Sequence, residues 1–346
     1  DANSYMALIG LRQGQLPQAA FFAKRACDAR PTDPQLWINL SRILAADNKH
    51  KEALAATDKA LALNPAKVEA YEVAALTLAK EGQFVEARDN CLKGLAHDPT
   101  HYALRITLAN TDLDCGRVEE AITGLRKLMG EFGDDLQVAE PLCNMLNYAP
   151  DADPRAIYEA HRCYGRIVKR LRPDPLPAIT GRNADPKRRL RVGLISPDFK
   201  SHSCAFFIEP LLEFHDRAAI EVYAYHTNAM ADDITARLRK HAAAFRHHAV
   251  ISDENLAKQI RKDEIDIAIE LSGHTRGESL VAMHLRPAPI QVTYLGYPNI
   301  TGLDAIDYRI VDSLTDPPQT AAFDPARRAE ALIRLDPCFL CFRPCL

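Results

Sequence analysis

The first 140 residues repeat with a period of 34. Ala19, Ala53, Ala87 and Ala121 form one column at that spacing, Gly14, Asn48, Gly82 and Gly116 a second, and Pro31, Pro65 and Pro99 a third. A small residue in the first column lets one helix approach another closely. Gly or Asn in the second suits a left-handed turn between two helices. Proline closes each unit because it cannot continue a helix. Residues 35–63 show one unit: Trp37, Leu40 and Leu44 at helical spacing, a turn at Asp47-Asn48, then Ala53, Ala60 and Leu61. A helix pair of this size cannot bury its apolar face alone, so the period predicts an α-solenoid of stacked pairs. Four copies align over residues 1–140, the last with Gly133 in place of the proline.

Residues 141–171 continue helical, with Pro154 placed to open a helix through Ile157, His161, Tyr164, Ile167 and Val168. Arg172-Pro-Asp-Pro-Leu-Pro177 is a stiff joint and marks a domain boundary. The expected organisation is a repeat array over 1–140, a helical joint and proline-rich linker over 141–185, and a further domain over 186–346.

From 186 onward apolar runs alternate with helical segments. Leu190–Ile195, Ile220–Tyr225, Ile265–Leu271 and Ile290–Leu295 read as strands, with Phe245–Ile251 a third in chain order and Tyr308–Val311 the last. Helices are predicted through 206–212 and near 232–243, 255–262 and 280–285. Strands separated by helices imply a parallel sheet covered on both faces. Sites in such sheets lie outside the carboxyl ends of the strands. The segments that follow the strands are Ser196-Pro-Asp198-Phe-Lys-Ser-His202-Ser203, His226-Thr-Asn228 with Asp232-Asp233, Ser272-Gly-His274-Thr275, and Gly296-Tyr297-Pro298-Asn299. These polar, glycine-bearing loops are predicted to open together on one edge.

Charge narrows the partners. The net charge is −3. Residues 1–140 hold 16 basic and 20 acidic side chains, the remainder 27 and 26, so neither part has the basic excess that nucleic-acid binding needs. No apolar run approaches the roughly 18 residues of a membrane-spanning helix. No signal peptide is visible, and the absence of an initiator Met leads us to expect a fragment. Six of the nine cysteines stand singly, as in reduced intracellular proteins. Dinucleotide, P-loop, zincin and hydrolase-elbow motifs are missing. Asp151-Ala-Asp153 has the spacing of a metal-binding glycosyl-transfer motif but sits between helices, and Cys338-Phe-Leu-Cys341 lacks a second ligand pair for zinc.

The repeat pattern resembles the tetratricopeptide repeat. Followed by Arg191-Val-Gly-Leu-Ile-Ser-Pro-Asp198-Phe-Lys-Ser-His202, Ile269-Glu-Leu-Ser-Gly273-His274-Thr275, Arg286-Pro-Ala-Pro289, Leu295-Gly-Tyr-Pro298 and Asp307-Tyr-Arg309, it is similar to protein O-glycosyltransferases of the O-GlcNAc transferase type. The end, Cys338-Phe-Leu-Cys341-Phe-Arg-Pro344, and the joint residues Asn147-Tyr148 and Ala160-His161-Arg162 fit as well. The resemblance covers essentially the whole chain.

It implies a tetratricopeptide superhelix followed by the first Rossmann-like half of a GT-B catalytic domain, the second half being expected beyond Leu346. It implies transfer of GlcNAc from UDP-GlcNAc to Ser or Thr of polypeptides lying along the superhelix, with no metal and no other cofactor. Tyr297-Pro-Asn-Ile-Thr-Gly302 and Asp312-Ser-Leu-Thr-Asp-Pro-Pro318 look closer to the Spindly-type branch, which makes GDP-fucose the alternative donor. By the same resemblance His202 is the active-site histidine, and Asp232 or Asp233 the acidic residue after the second strand. Leu295, Gly296 and Pro298 line the donor sugar. His274, Thr275 and Tyr297 are assigned to the same donor and acceptor region, with Tyr297 as wall rather than reactant. Asn39, Asn110 and Asn147 are candidates to hold a peptide backbone. The implied location is cytoplasmic, and a single half with its apolar wall uncovered is expected to form a homo-oligomer or aggregate. A non-catalytic repeat scaffold is the rival reading.

Overall fold

The structure is a computed structural model and describes residues 2–171, 174–180, 185, 187–317 and 330–343. It divides into two compact units, Asp1–Gly133 and Asp134–Leu346.

The first unit consists of helix pairs: α1 (Ala2–Arg12) with α2 (Leu16–Ala29), α3 (Pro34–Ala46) with α4 (His50–Leu63), α5 (Val68–Lys80) with α6 (Phe84–His97), and α7 (Tyr102–Asp114) with α8 (Val118–Phe132). The alanine column is wholly buried: Ala19, Ala53, Ala87 and Ala121 have no exposed surface. Proline serves twice in the junction before α3, and its carbonyl recurs in the next junction. Pro34 occupies the first turn of α3, where its missing N–H leaves no bond unmade, and Asp33 caps that turn by accepting from Gln35 N at 3.0 Å. The carbonyl of Pro31 takes the Trp37 indole N–H at 2.9 Å, and that of Pro65 takes the Tyr71 hydroxyl at 3.1 Å. The buried Ser41 hydroxyl bonds Ala53 O at 2.7 Å, which ties α3 to its partner α4.

The turn column is left-handed throughout, with Asn48 at φ +58° among glycines at φ +71° to +75°. A side chain with a branched Cβ is strained there by about 1–2 kcal/mol. Asn48→Val is therefore expected to lower the urea-unfolding stability by about that amount, whereas Asn48→Gly should leave it unchanged or raise it slightly. Equal losses in both variants would overturn this account of the column.

In the second unit, α9 (Leu136–Leu146) and α10 (Pro154–Leu171) pack together and precede the sheet. The strands are β1 (Leu190–Ser196), β2 (Ile220–His226), β3 (Ala244–His247), β4 (Ile267–Glu270), β5 (Ile290–Thr293), β6 (Tyr308–Val311) and β7 (Ala331–Arg334). They form one sheet in the order β3-β2-β1-β4-β5-β6-β7, parallel at every pairing. The helices between them are α11 (Ser203–Phe214), α12 (Asp233–His241), α13 (Asp253–Lys262) and α14 (Leu280–His284). The core beneath them includes Leu194, Phe199, Ile208, Ala224 and Leu271.

Four strand expectations need correction, one being β5, which ends at Thr293 rather than Leu295. The third strand is Ala244–His247, starting one residue earlier and stopping before Ile251; its last ladder bond runs from His248 N to His226 O of β2, after which regular pairing stops. The fourth is shorter than its apolar run: regular pairing covers Ile267–Glu270, flanked by single ladder bonds to β1 from Asp266 N and Leu271 N, while Ile265 is buried ahead of the strand. Tyr308–Val311 is not the last strand. β7 pairs beyond it, an edge strand whose residues are never fully buried, so its sequence lacks a continuous apolar signal. Among the described residues no helix is long and apolar enough to cross a membrane.

Candidate functional site

The strand order reverses between β1 and β4. The chain leaves β1 toward β2 and β3, then returns to pair β4 on the other side of β1. Loops after those two strands diverge and leave a crevice at the carboxyl edge. A cavity of about 500 Å³ lies there, lined by Asp198 and His202 from the loop after β1, Thr227 and Asn228 after β2, Thr275 and Arg276 after β4, and Leu295 and Gly296 after β5. Lys200 and Cys204 also line it. Leu295 sits at φ +58°, a left-handed position that costs a leucine about 1–2 kcal/mol. Its side chain packs against the core of the sheet, which holds it there.

His202 is the N-cap of α11 and half-exposed. Cys204 N donates to its Nδ1 at 3.3 Å, so the neutral ring carries its hydrogen on Nε2. The Asp198 carboxylate stands 3.7 Å from the same Nδ1. Asp232 caps α12: its Oδ1 accepts from Thr235 N at 3.0 Å and its Oδ2 from Ser201 N at 2.7 Å. Asp232 thus binds the loop that carries His202 to the start of α12, and both its oxygens are engaged. It is a positioning group where a reacting one was expected. Asp233 lies exposed in the first turn of α12 and does not line the cavity. Of the acids near the histidine, the one facing the cavity is Asp198 of the Ser-Pro-Asp-Phe-Lys-Ser-His segment, a residue not among the expected site groups.

Several expected wall residues lie behind the wall. His274 is buried, with Nε2 donating to Thr301 O at 2.8 Å and no partner on Nδ1. Burial, with His161 alongside, pushes its basicity far below the ordinary range. Tyr297 is buried too. The buried His161 donates from Nδ1 to Ile157 O at 2.7 Å, which leaves Nε2 as an acceptor 2.7 Å from the Tyr297 hydroxyl; that hydroxyl's one hydrogen is shared with Cys143 O at 3.0 Å. Asn147 donates to that hydroxyl at 2.7 Å and its own oxygen accepts from Asn299 at 3.1 Å. Asn147, whose amide is engaged on both sides, is therefore an internal tie between α9 and the loop after β5. Asn39, which accepts from Gln35 at 3.3 Å, and Asn110 are half-buried on α3 and α7 of the first unit. Pro298 is exposed, and its carbonyl accepts from Arg309 at 3.2 Å. Thr275, Leu295 and Gly296 do line the cavity.

Among the described residues two side-chain groups have metal-ligand spacing, Cys143-His161-His274 and Asp198-His202-Cys204. In the first, both nitrogens of His161 already have partners. In the second, burial lifts the Cys204 thiol to about 11, with Asp198 adding to the effect, so the sulfur is a neutral thiol near neutral pH. Asp153 accepts from Arg155 N at 2.9 Å at the start of α10, an ordinary helix-start role. Cys338 and Cys341 are free and exposed, and Cys345 lies outside the described residues.

The buried carboxyls behind the wall set a pH dependence. Burial raises Glu278 from the ordinary 4.5 to about 8, reinforced by Glu140, and raises Glu140 to about 7 against the pull of Arg276. Across that range the folded protein holds protons that the unfolded chain has released, so this stabilisation is full below about 4.5 and is lost as pH rises toward 8. Burial pushes His161 from 6.5 down to about 4, and its contribution is lost in the opposite direction, as pH falls from 6.5 to 4. The two slopes oppose each other at acid pH. Above 6.5 only the carboxyls act, so the midpoint of urea unfolding should fall between pH 6.5 and 8. Glu278→Gln should flatten that fall; an unchanged slope would count against it.

The model of glycosyl transferase family 41 matches residues 141–329, and a tetratricopeptide-repeat model matches residues 78–140. The chain is 41% identical over 203 residues to an Arabidopsis thaliana protein named as a probable UDP-N-acetylglucosamine–peptide N-acetylglucosaminyltransferase, SPINDLY, a match to 58% of this chain and 22% of that one. A Caenorhabditis elegans UDP-N-acetylglucosamine–peptide N-acetylglucosaminyltransferase is 32% identical over 165 residues, 47% of this chain and 14% of its own. The matched region is thus about a fifth or less of these relatives' length. Among solved structures, a mutant O-GlcNAc transferase of Thermobaculum terrenum superposes with a TM-score of 0.63 at 27% identity, over 98% of this chain and 57% of that one. A match over more than half of the residues, joined to the repeats and to the crevice between β1 and β4, establishes that this chain belongs to glycosyl transferase family 41.

Proposed function

We propose that the protein transfers a sugar from a nucleotide donor to Ser or Thr hydroxyls of polypeptides, and that residues 186–346 supply the histidine-bearing wall of the catalytic crevice. The observation that carries this reading is the cavity between the loops after β1 and β4, with His202 on its rim. UDP-GlcNAc is the proposed donor, supported by the activity named for the relatives at 32–41% identity. The loop Tyr297-Pro-Asn-Ile-Thr-Gly302, closer to the Spindly-type branch, supports GDP-fucose as the second reading.

The transfer joins an acceptor oxygen to the anomeric carbon while the nucleoside diphosphate leaves with the bonding electrons. The chain's own contributions are positioning and proton handling. His202 touches the acceptor hydroxyl, and Asp232 fixes the loop that presents it. Lys200 and Arg276 give the cavity a cationic side toward anionic ligands. No metal or further cofactor is proposed, and the proposed setting is the cytoplasm. Acceptor chains are proposed to lie along the repeats of 1–140, with 141–185 as the joint. Homo-oligomerisation is proposed as well.

The test is incubation of the full-length protein with each labelled nucleotide sugar and a Ser/Thr-rich protein. Transfer from UDP-GlcNAc supports the first reading, transfer from GDP-fucose alone supports the second, and transfer from neither refutes both. Deletion of residues 1–132 should impair glycosylation of proteins more than of short peptides. Equal loss on both acceptors, or none, would contradict the role given to the repeats.

A further inference from the structure

We infer that Asp198 is the positioning carboxylate of His202, turning the ring from a hydrogen-bond donor into a proton acceptor toward the cavity. The inference rests on the glycosyl-transfer reading for its kinetic part, and on geometry alone for the rest.

As it caps α11, His202 accepts at Nδ1 from Cys204 N at 3.3 Å, a long contact. In that tautomer Nε2 carries the hydrogen and cannot take another without making the ring cationic. A base at Nε2 needs the hydrogen moved to Nδ1, and that hydrogen needs an acceptor. Cys204 N cannot serve, being itself a donor. The Asp198 carboxylate can: its Oδ2 lies 3.7 Å from Nδ1, so a small ring movement closes a hydrogen bond.

The surroundings leave Asp198 available for this. Its backbone N–H is fixed by Ser196 Oγ at 3.0 Å, which aims the side chain. Its carboxylate is mostly buried, 15% exposed, and stands 3.7 Å from His202 Nδ1, with His226 and the Cys204 thiol also within its electrostatic reach. The other charged or titratable groups on the cavity are Lys200, Arg276 and the Cys204 thiol. The two cations cannot accept the Nδ1 hydrogen, and the thiol is a poor acceptor. Asp232, the other acid near this loop, has both oxygens on backbone N–H groups.

In the transfer step the acceptor O–H proton passes to His202 Nε2. The oxygen's electron pair forms the new bond to the anomeric carbon, and the old carbon–oxygen bond breaks toward the diphosphate. The resulting imidazolium is then paired with Asp198 through Nδ1–H, and Nε2 afterwards returns its proton to solvent. A paired imidazolium is the arrangement that lowers the cost of the step.

The test uses the full-length protein, with Asp198→Asn, Asp198→Glu and His202→Ala. Asparagine keeps the size and the backbone bond but no longer attracts the Nδ1 hydrogen through a charge. Expected for Asp198→Asn is a kcat lowered about 10–100-fold, with KM for the acceptor within twofold, an unchanged Tm, and partial rescue by glutamate. Adding Asp198→Asn to His202→Ala should lower kcat no further. In protein labelled with 15N-histidine, Asp198→Asn should deplete the Nδ1-protonated form of His202. A normal kcat, additive losses, or an unaltered tautomer would overturn the inference. So would activity abolished by a chelator and restored by zinc, which would make Asp198 and His202 metal ligands instead. If wild-type protein transfers no sugar, the glycosyl-transfer reading fails, and the tautomer measurement still decides the Asp198–His202 coupling.

Discussion

Replacing His202 with asparagine in the full-length protein should lower kcat for protein glycosylation by about 10²–10⁴ and leave Tm nearly unchanged. Alanine is the weaker experiment, because His202 is also the N-cap of α11. Loss of a cap costs about 1 kcal/mol, so His202→Ala mixes a folding defect with a chemical one. Asparagine is a good N-cap and can accept from Cys204 N as the imidazole does, but it moves no proton near neutral pH. The two variants together separate the roles: both should lose turnover, and only alanine should lose stability. Near-normal turnover in His202→Asn would show that the histidine serves the helix alone.

Gly302→Ala should lower the stability of the second unit by about 2–5 kcal/mol. Gly302 has φ +80°, which costs an alanine about 1–2 kcal/mol by itself. Its added Cβ would also fall on the carbonyl oxygen of His161, part of the α10 backbone, which cannot move as a side-chain tip can. Across the same contact, a Cβ at Gly165 would fall on Gly302 O. The loop is further fixed by Arg162, which donates to Gly302 O at 3.0 Å, and by His274 on Thr301 O. Gly116→Ala is the control, since Gly116 has φ +75° but nothing within 4 Å of an added Cβ. If urea unfolding gives equal losses for the two, the close backbone approach is not what requires glycine at 302.

Local chemistry made much of the fold readable. The 34-residue columns located the turn within each helix pair and the alanine at its close contact, because each column acts within one unit: alanine for approach, a left-handed residue for reversal, proline after the stop. β1 and β2 were readable from continuous apolar runs, as buried parallel strands require. β7 was not, because its alternately exposed residues resemble a loop in composition.

The candidate site divides along the same line. The sequence by itself determined which loops follow which strands, and thereby that Asp198, His202, Thr275 and Gly296 would share one edge. Only the tertiary structure decided what each side chain does there. Asp232 and Asp198 are both aspartates in polar loops, but the first meets two backbone N–H groups and the second meets an imidazole. His274 and Tyr297 stand in polar, loop-like sequence, yet each is held in the interior, Tyr297 by a partner 154 residues away. Buried polar groups must find hydrogen-bond partners, and those partners are set by packing between distant elements, a relation that local composition does not encode.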